Sequence, residues 1–97
     1  MILPQPKEFI WDKGNTDKNY EKHNVTNAEA EEVFDDQNKA VFKDILHSGS
    51  ESRFILLGKS NLGRLLFIVF TIRGKNKIRV ISARDINRKE MYLYNRG

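Results

Sequence analysis

The 97-residue sequence predicts an α+β domain: a mainly antiparallel sheet, two helices ahead of its main strands and one helix after them. Three observations predict it. Helical spacing and caps are confined to the stretch before residue 39 and to the C-terminal end. Four strand-like runs follow one another between residues 40 and 84, joined only by short turns. Strands in immediate succession with short turns pair antiparallel, and the expectation is that the helices gather on one side of the sheet. The expected order is β-α-α-β-β-β-β-α in one domain over residues 1–97, with residues 1–7 as a flexible N-terminal extension.

Each element has a local reason. Pro4 and Pro6 keep the first residues out of helix, so they are expected to hang free or lie extended. Phe9-Ile10-Trp11 is a short apolar run suited to an edge strand. Residues 16–23 read as a helix started by Thr16 or Asp17, and Asn24 ends it because asparagine tolerates the left-handed cap. Thr26-Asn27-Ala28-Glu29 is a capping box, with Val25 and Ala30 spaced for a hydrophobic staple. Ala30, Val33 and Phe34 then form a buried stripe at helical spacing. The run Glu29, Glu31, Glu32, Asp35, Asp36 reads as a solvated face.

Residues 40–45 and 53–58 read as strands flanking a turn. Residues 64–72 are apolar on both faces, which places this strand centrally with both faces covered. Residues 73–77 form a hairpin turn and 78–83 the last strand. Asn87-Arg88-Lys89-Glu90 resembles a second capping box and opens the C-terminal helix.

Charge is unevenly distributed. The chain carries +4 overall, but residues 1–52 carry −5 and no arginine, whereas residues 53–97 carry +9 and all seven arginines. Arginine is a planar, permanently charged fork matched to phosphate, so this half suggests a polyanion-facing surface. The absence of cysteine removes disulfides, thiol nucleophiles and Cys-ligated metal sites, and it fits a reducing, cytoplasmic setting. His23 and His47 have no companion ligands at metal spacing, so neither metal nor cofactor is expected. The N-terminus lacks a basic start and a long apolar stretch, so no signal peptide is expected. The longest apolar run, residues 65–70, is too short to span a bilayer.

Histidine, arginine, lysine and carboxylates suffice for metal-free RNA cleavage. There the 2′-hydroxyl attacks the adjacent phosphorus, a base takes its proton, cations stabilise the developing charge and an acid protonates the leaving oxygen. Arg84 is the sharpest candidate. It ends a strand just before a helix bearing Arg88 and Lys89, and strict alternation puts it on one face with Ser82, Val80 and Ile78. An exposed arginine paired with Asp85 or Glu90 explains it equally well. Arg64 opens the central strand at the same rim, although a solvated strand-end charge is the commoner reading. Arg73 falls at the opposite rim. His23, beside Lys22 at a helix C-terminus, is placed to hold or move a proton, and a simple cap interaction is its plainer role. Lys22, Lys59 and Lys89 are candidates for binding RNA phosphate. Glu90 is an alternative base already explained by the cap. Tyr92 and Tyr94 are base-stacking candidates, more simply packing residues.

The ordered set of motifs resembles a known family. Residues 9–12 (Phe-Ile-Trp-Asp), 19–25 (Asn-Tyr-Glu-Lys-His-Asn-Val) and 31–36 (Glu-Glu-Val-Phe-Asp-Asp) are similar to its opening strand and two helices. Residues 53–60 and 63–71 resemble its paired central strands. Residues 78–84 (Ile-Arg-Val-Ile-Ser-Ala-Arg), followed by Arg88-Lys89-Glu90, resemble its C-terminal signature. The family is that of BrnT toxins of type II toxin–antitoxin systems, and the resemblance spans nearly the whole chain. It implies a RelE-like fold and a cytoplasmic ribonuclease that halts translation, with active-site positions at His23, Arg64 and Arg84 and with Arg88 nearby. It also implies neutralisation by a BrnA-type ribbon-helix-helix antitoxin, DNA contact only through that complex, and a dimer within it. Asn24 stands where the family usually has glycine. A catalytically inactive RNA- or antitoxin-binding module with the same fold is the alternative.

Overall fold

A computed structural model of the chain describes residues 3–5 and 7–96. Its elements are β1 (Glu8–Ile10), α1 (Lys13–His23), α2 (Asn27–Glu32) tightening into one 3₁₀ turn (Val33–Asp35), β2 (Ala40–Asp44), β3 (Arg53–Lys59), β4 (Leu65–Arg73), β5 (Lys77–Asp85) and α3 (Arg88–Arg96). The sheet runs β1-β5-β4-β3-β2, antiparallel except that β1 lies parallel to β5.

The caps behave largely as the sequence predicts. Asn24 takes the left-handed conformation (φ 54°) and Thr26 Oγ1 accepts from the Glu29 N–H at 3.1 Å. Asn87 and Glu90 exchange both bonds of a capping box at 2.9 Å. Glu29 does not return the bond to the Thr26 backbone; its carboxylate is taken by Ser60 and Arg64. Helix α1 starts earlier than residue 16, because the Asp12 carboxylate caps the Asn15 N–H at 3.2 Å.

The main core lies on one face of the sheet. Val25, Ala30, Val33 and Phe34 pack there against Leu56, Leu66, Ile68, Phe70, Ile78, Val80 and Ala83. Phe34 sits edge-on to both Phe9 and Phe70 with ring centroids 5.1 Å apart. Leu3 is also buried in this core and Lys7 pairs with Asp35 at 2.9 Å, so these two residues are anchored rather than hanging free. Burying a leucine side chain offsets the entropy of ordering the segment. The expectation for Met1, Ile2 and Pro6 lies outside the described residues.

The opposite face is covered differently from the expectation of one-sided helices. Tyr94 of α3 packs there with Ala40 and Leu57, and with Ile55, Leu65, Phe67 and Ile86 around them. Strand β4 is therefore central, with one face fully buried and the other only partly so.

The acidic run is not a plain solvated face. Glu31 accepts from Trp11 Nε1, Glu32 from the Asn61 N–H, and Asp36 from the Lys59 N–H and the Tyr94 hydroxyl. Together with Glu29–Arg64 and Asp35–Lys7, these carboxylates fasten the helical layer to the strands and the N-terminal segment.

Gly58 marks the closest approach of sheet and helix. A Cβ there would lie 2.7 Å from the Val33 carbonyl oxygen, a backbone atom that cannot swing away. Gly58→Ala is expected to cost about 1–3 kcal/mol, read as a lowered urea midpoint. An unchanged midpoint would show that the layers separate freely.

Candidate active site

The β3–β4 turn, the β5–α3 junction and the C-terminus of α1 meet at one end of the sheet. In the β4–β5 ladder Val69 pairs with Ser82 and Phe70 with Val80, so Ile81 is an extra residue. Such a bulge reverses the alternation beyond it. Ala83 therefore joins Ile78 and Val80 in the main core, and Arg84 points to the α3 face. This corrects the alternation expected from sequence, in which Arg84 shared a face with Val80. The Arg84 guanidinium lies over the Phe67 ring at 3.9 Å, donates to both Glu90 oxygens at 2.9 and 2.8 Å, and donates to the Asp85 carbonyl at 3.0 Å.

The same stretch of β5 also meets α1. The Ala83 N–H donates to the buried Asn19 Oδ1 at 3.1 Å. Asn19 thereby docks α1 on β5 and places His23, one helical turn later, beside the end of that strand. Sequence reading gave Asn19 no role. The available signal was its place at the head of the motif at residues 19–25, one helical turn before His23.

Arg64 stands one residue before β4 and turns to the helical layer. Its guanidinium bonds Asp85 twice (2.6 and 3.0 Å), Glu29 at 2.9 Å, and the carbonyls of Asn24 at 2.9 Å and His23 at 2.7 Å. The two arginines thus meet at Asp85 from opposite faces. His23 is exposed and close enough to help hold Asp85 ionised.

Arg88 and Lys89 are exposed on the first turn of α3, with no hydrogen bond or ion pair among the described residues. Lys59 ends β3 and shares the α3 face with Leu57; Lys22 is exposed beside His23. Lys59, Arg84, Arg88 and Lys89 make up the cationic side of this candidate site. On the helical side a cavity of about 490 Å³ is lined by Glu29, Glu32, Tyr20 and Arg64, and its carboxylates do not suit phosphate. Arg73 lies at the far end with Glu51, and His47 pairs with Asp44 in the β2–β3 turn. Tyr94 is buried, its hydroxyl on Asp36 at 2.6 Å, which removes it as a stacking platform; Tyr92 stays exposed. Among the described residues no group of three or more His, Cys, Asp or Glu comes together to hold a metal ion. No helix among them is long and apolar enough to cross a membrane.

The electrostatics follow from these pairs. The bidentate Arg64 contact holds the Asp85 carboxyl below its ordinary range and raises the Arg64 guanidinium. Arg84 lowers Glu90 in the same way. Burial alone would raise Asp36, but bonds from Tyr94, Asn38 and Lys59 outweigh it and the net direction is down. Burial, and then the bond to Asp36, pushes the Tyr94 phenol up to about 12. Asp36, Asp85 and Glu90 are therefore more acidic folded than unfolded. Each contributes stability above the ordinary carboxylate range and loses it as pH falls through and below that range. The expected Tm profile drops below about pH 4; a Tm that rises on acidification would contradict these pairings.

A family model described as the ribonuclease toxin BrnT of type II toxin–antitoxin systems matches residues 11–90. The crystal structure of the Brucella abortus ribonuclease toxin BrnT, at 1.1 Å resolution, is similar in fold: the TM-score is 0.64 and the identity 23%, over 84% of this chain and 99% of that one. No curated protein matches the sequence.

Proposed function

Because this chain belongs to the BrnT family of ribonuclease toxins of type II toxin–antitoxin systems, we propose that it cleaves RNA endonucleolytically, without a metal ion, at the end of the sheet beside Arg84. The observation that carries this reading is the cationic group Arg84, Arg88 and Lys89 at the β5–α3 junction, with Lys59 at the end of β3 and the C-terminus of α1, which carries His23, at the same end of the sheet. Arg84 and Arg88 stabilise charge on the phosphorane, and Lys59, Lys89 and Lys22 guide the flanking phosphates. The exposed imidazole of His23 serves one of the two proton transfers. Glu90 is a poor proton acceptor, since Arg84 holds it ionised.

The family's type II system supports an antitoxin partner. We propose the BrnA type, whose ribbon-helix-helix domain contacts DNA on behalf of a complex containing two toxin copies, in the cytoplasm.

The test is incubation of purified protein with single-stranded RNA in EDTA. Metal-free cleavage supports the reading. Salt-sensitive binding that leaves the RNA intact would replace it with the catalytically inactive binding module.

A further inference from the structure

We infer that Arg64 is a positioning residue for His23, not a ligand of the RNA phosphate; the inference rests on the ribonuclease reading above. A guanidinium has five N–H donors. Arg64 makes five hydrogen bonds with them: one from Nε, two from Nη1 and two from Nη2. No donor is left for a phosphate oxygen. Arg64 also faces two carboxylates, Asp85 and Glu29, so the cluster carries net negative charge and repels phosphate. Arg84 faces one carboxylate, and Arg88 and Lys89 face none among the described residues.

The acceptors show what Arg64 does instead. Two are the carbonyls of His23 and Asn24, which end α1 and have no partner further along the helix. The other two residues, Glu29 and Asp85, belong to α2 and β5. One side chain therefore ties the end of α1 to α2 and to the strand that carries Arg84. It also fixes the orientation of the Asp85 carboxylate. Lysine, a point charge with three donors, cannot make this set.

Binding of a 2′-O-methylated, uncleavable RNA oligonucleotide at several salt concentrations separates the two roles. Each phosphate contact by a cation contributes roughly 0.7 to the slope of log K against log salt for single strands. Arg84→Ala should lower the slope by that amount, and Arg64→Ala should leave it unchanged. On unmodified RNA, Arg64→Ala should cut the single-turnover rate about 100-fold, as a displaced catalytic group does, and alter its pH profile. Arg64→Lys should be equally slow with wild-type binding, and it carries the test if the alanine variant does not fold. A slope reduced in Arg64→Ala as in Arg84→Ala, or cleavage restored by Arg64→Lys, overturns the inference. Wild-type protein that binds but never cleaves RNA overturns the ribonuclease reading instead, and the slope comparison still decides whether Arg64 touches phosphate.

Discussion

Arg84→Ala is expected to lower the rate of RNA cleavage by about 10²–10³-fold, the usual loss when one preorganised donor to a developing anion is removed. The fold should survive. The Arg84–Glu90 pair is part-exposed, with side chains 34% and 14% accessible, and such a pair contributes up to about 1 kcal/mol. That corresponds to roughly 4–8 °C in Tm for a domain of this size. Glu90 keeps its bond from the Asn87 N–H, and Phe67 keeps its packing with Tyr94 and Leu57. Expression of the variant should no longer arrest growth. A folded variant that remains fully toxic and cleaves RNA at the wild-type rate would show that the site lies elsewhere.

Phe34→Ala should cause the largest loss of stability, about 3–5 kcal/mol. Phe34 is 1% exposed and lies between Phe9 of β1 and Phe70 of β4. Its removal opens a cavity where helical layer and sheet meet, and the surrounding strands cannot collapse into it. Against a total of about 5–15 kcal/mol, this is a large fraction of what holds the domain together. Urea unfolding followed by far-UV circular dichroism measures it. A loss below about 1 kcal/mol would mean that the aromatic contacts do not anchor the layers.

Much of the fold was legible because its signals are local. Asn24, Thr26 and Asn87 act on amides or carbonyls within five residues of themselves, so spacing alone reveals the caps. The stripe Ala30, Val33, Phe34 needs only the helical period. The strand order β2 to β5 follows from short turns. The candidate site was legible only as a neighbourhood: the elements that carry His23, Arg84, Arg88 and Lys89 come to one end of the sheet, and Arg73 goes to the other.

Geometry within that neighbourhood was not legible. The bulge at Ile81 depends on how β5 aligns with β4, and one unpaired residue moves Arg84 to the other face. The partners of Arg64 lie 21 to 41 residues away in sequence, so its saturation shows only once the chain has folded. The same holds for Asn19, whose acceptor oxygen meets an amide 64 residues on. It holds too for the acidic run, which looked solvated until the strands arrived. Elements and caps arise from interactions within one turn or one strand, which the order of residues encodes directly. The face a side chain takes and the number of donors it keeps arise from register and long-range pairing. Those separate Arg84, its guanidinium held against Phe67 and Glu90 on the cationic side, from Arg64, bound on every donor inside the protein.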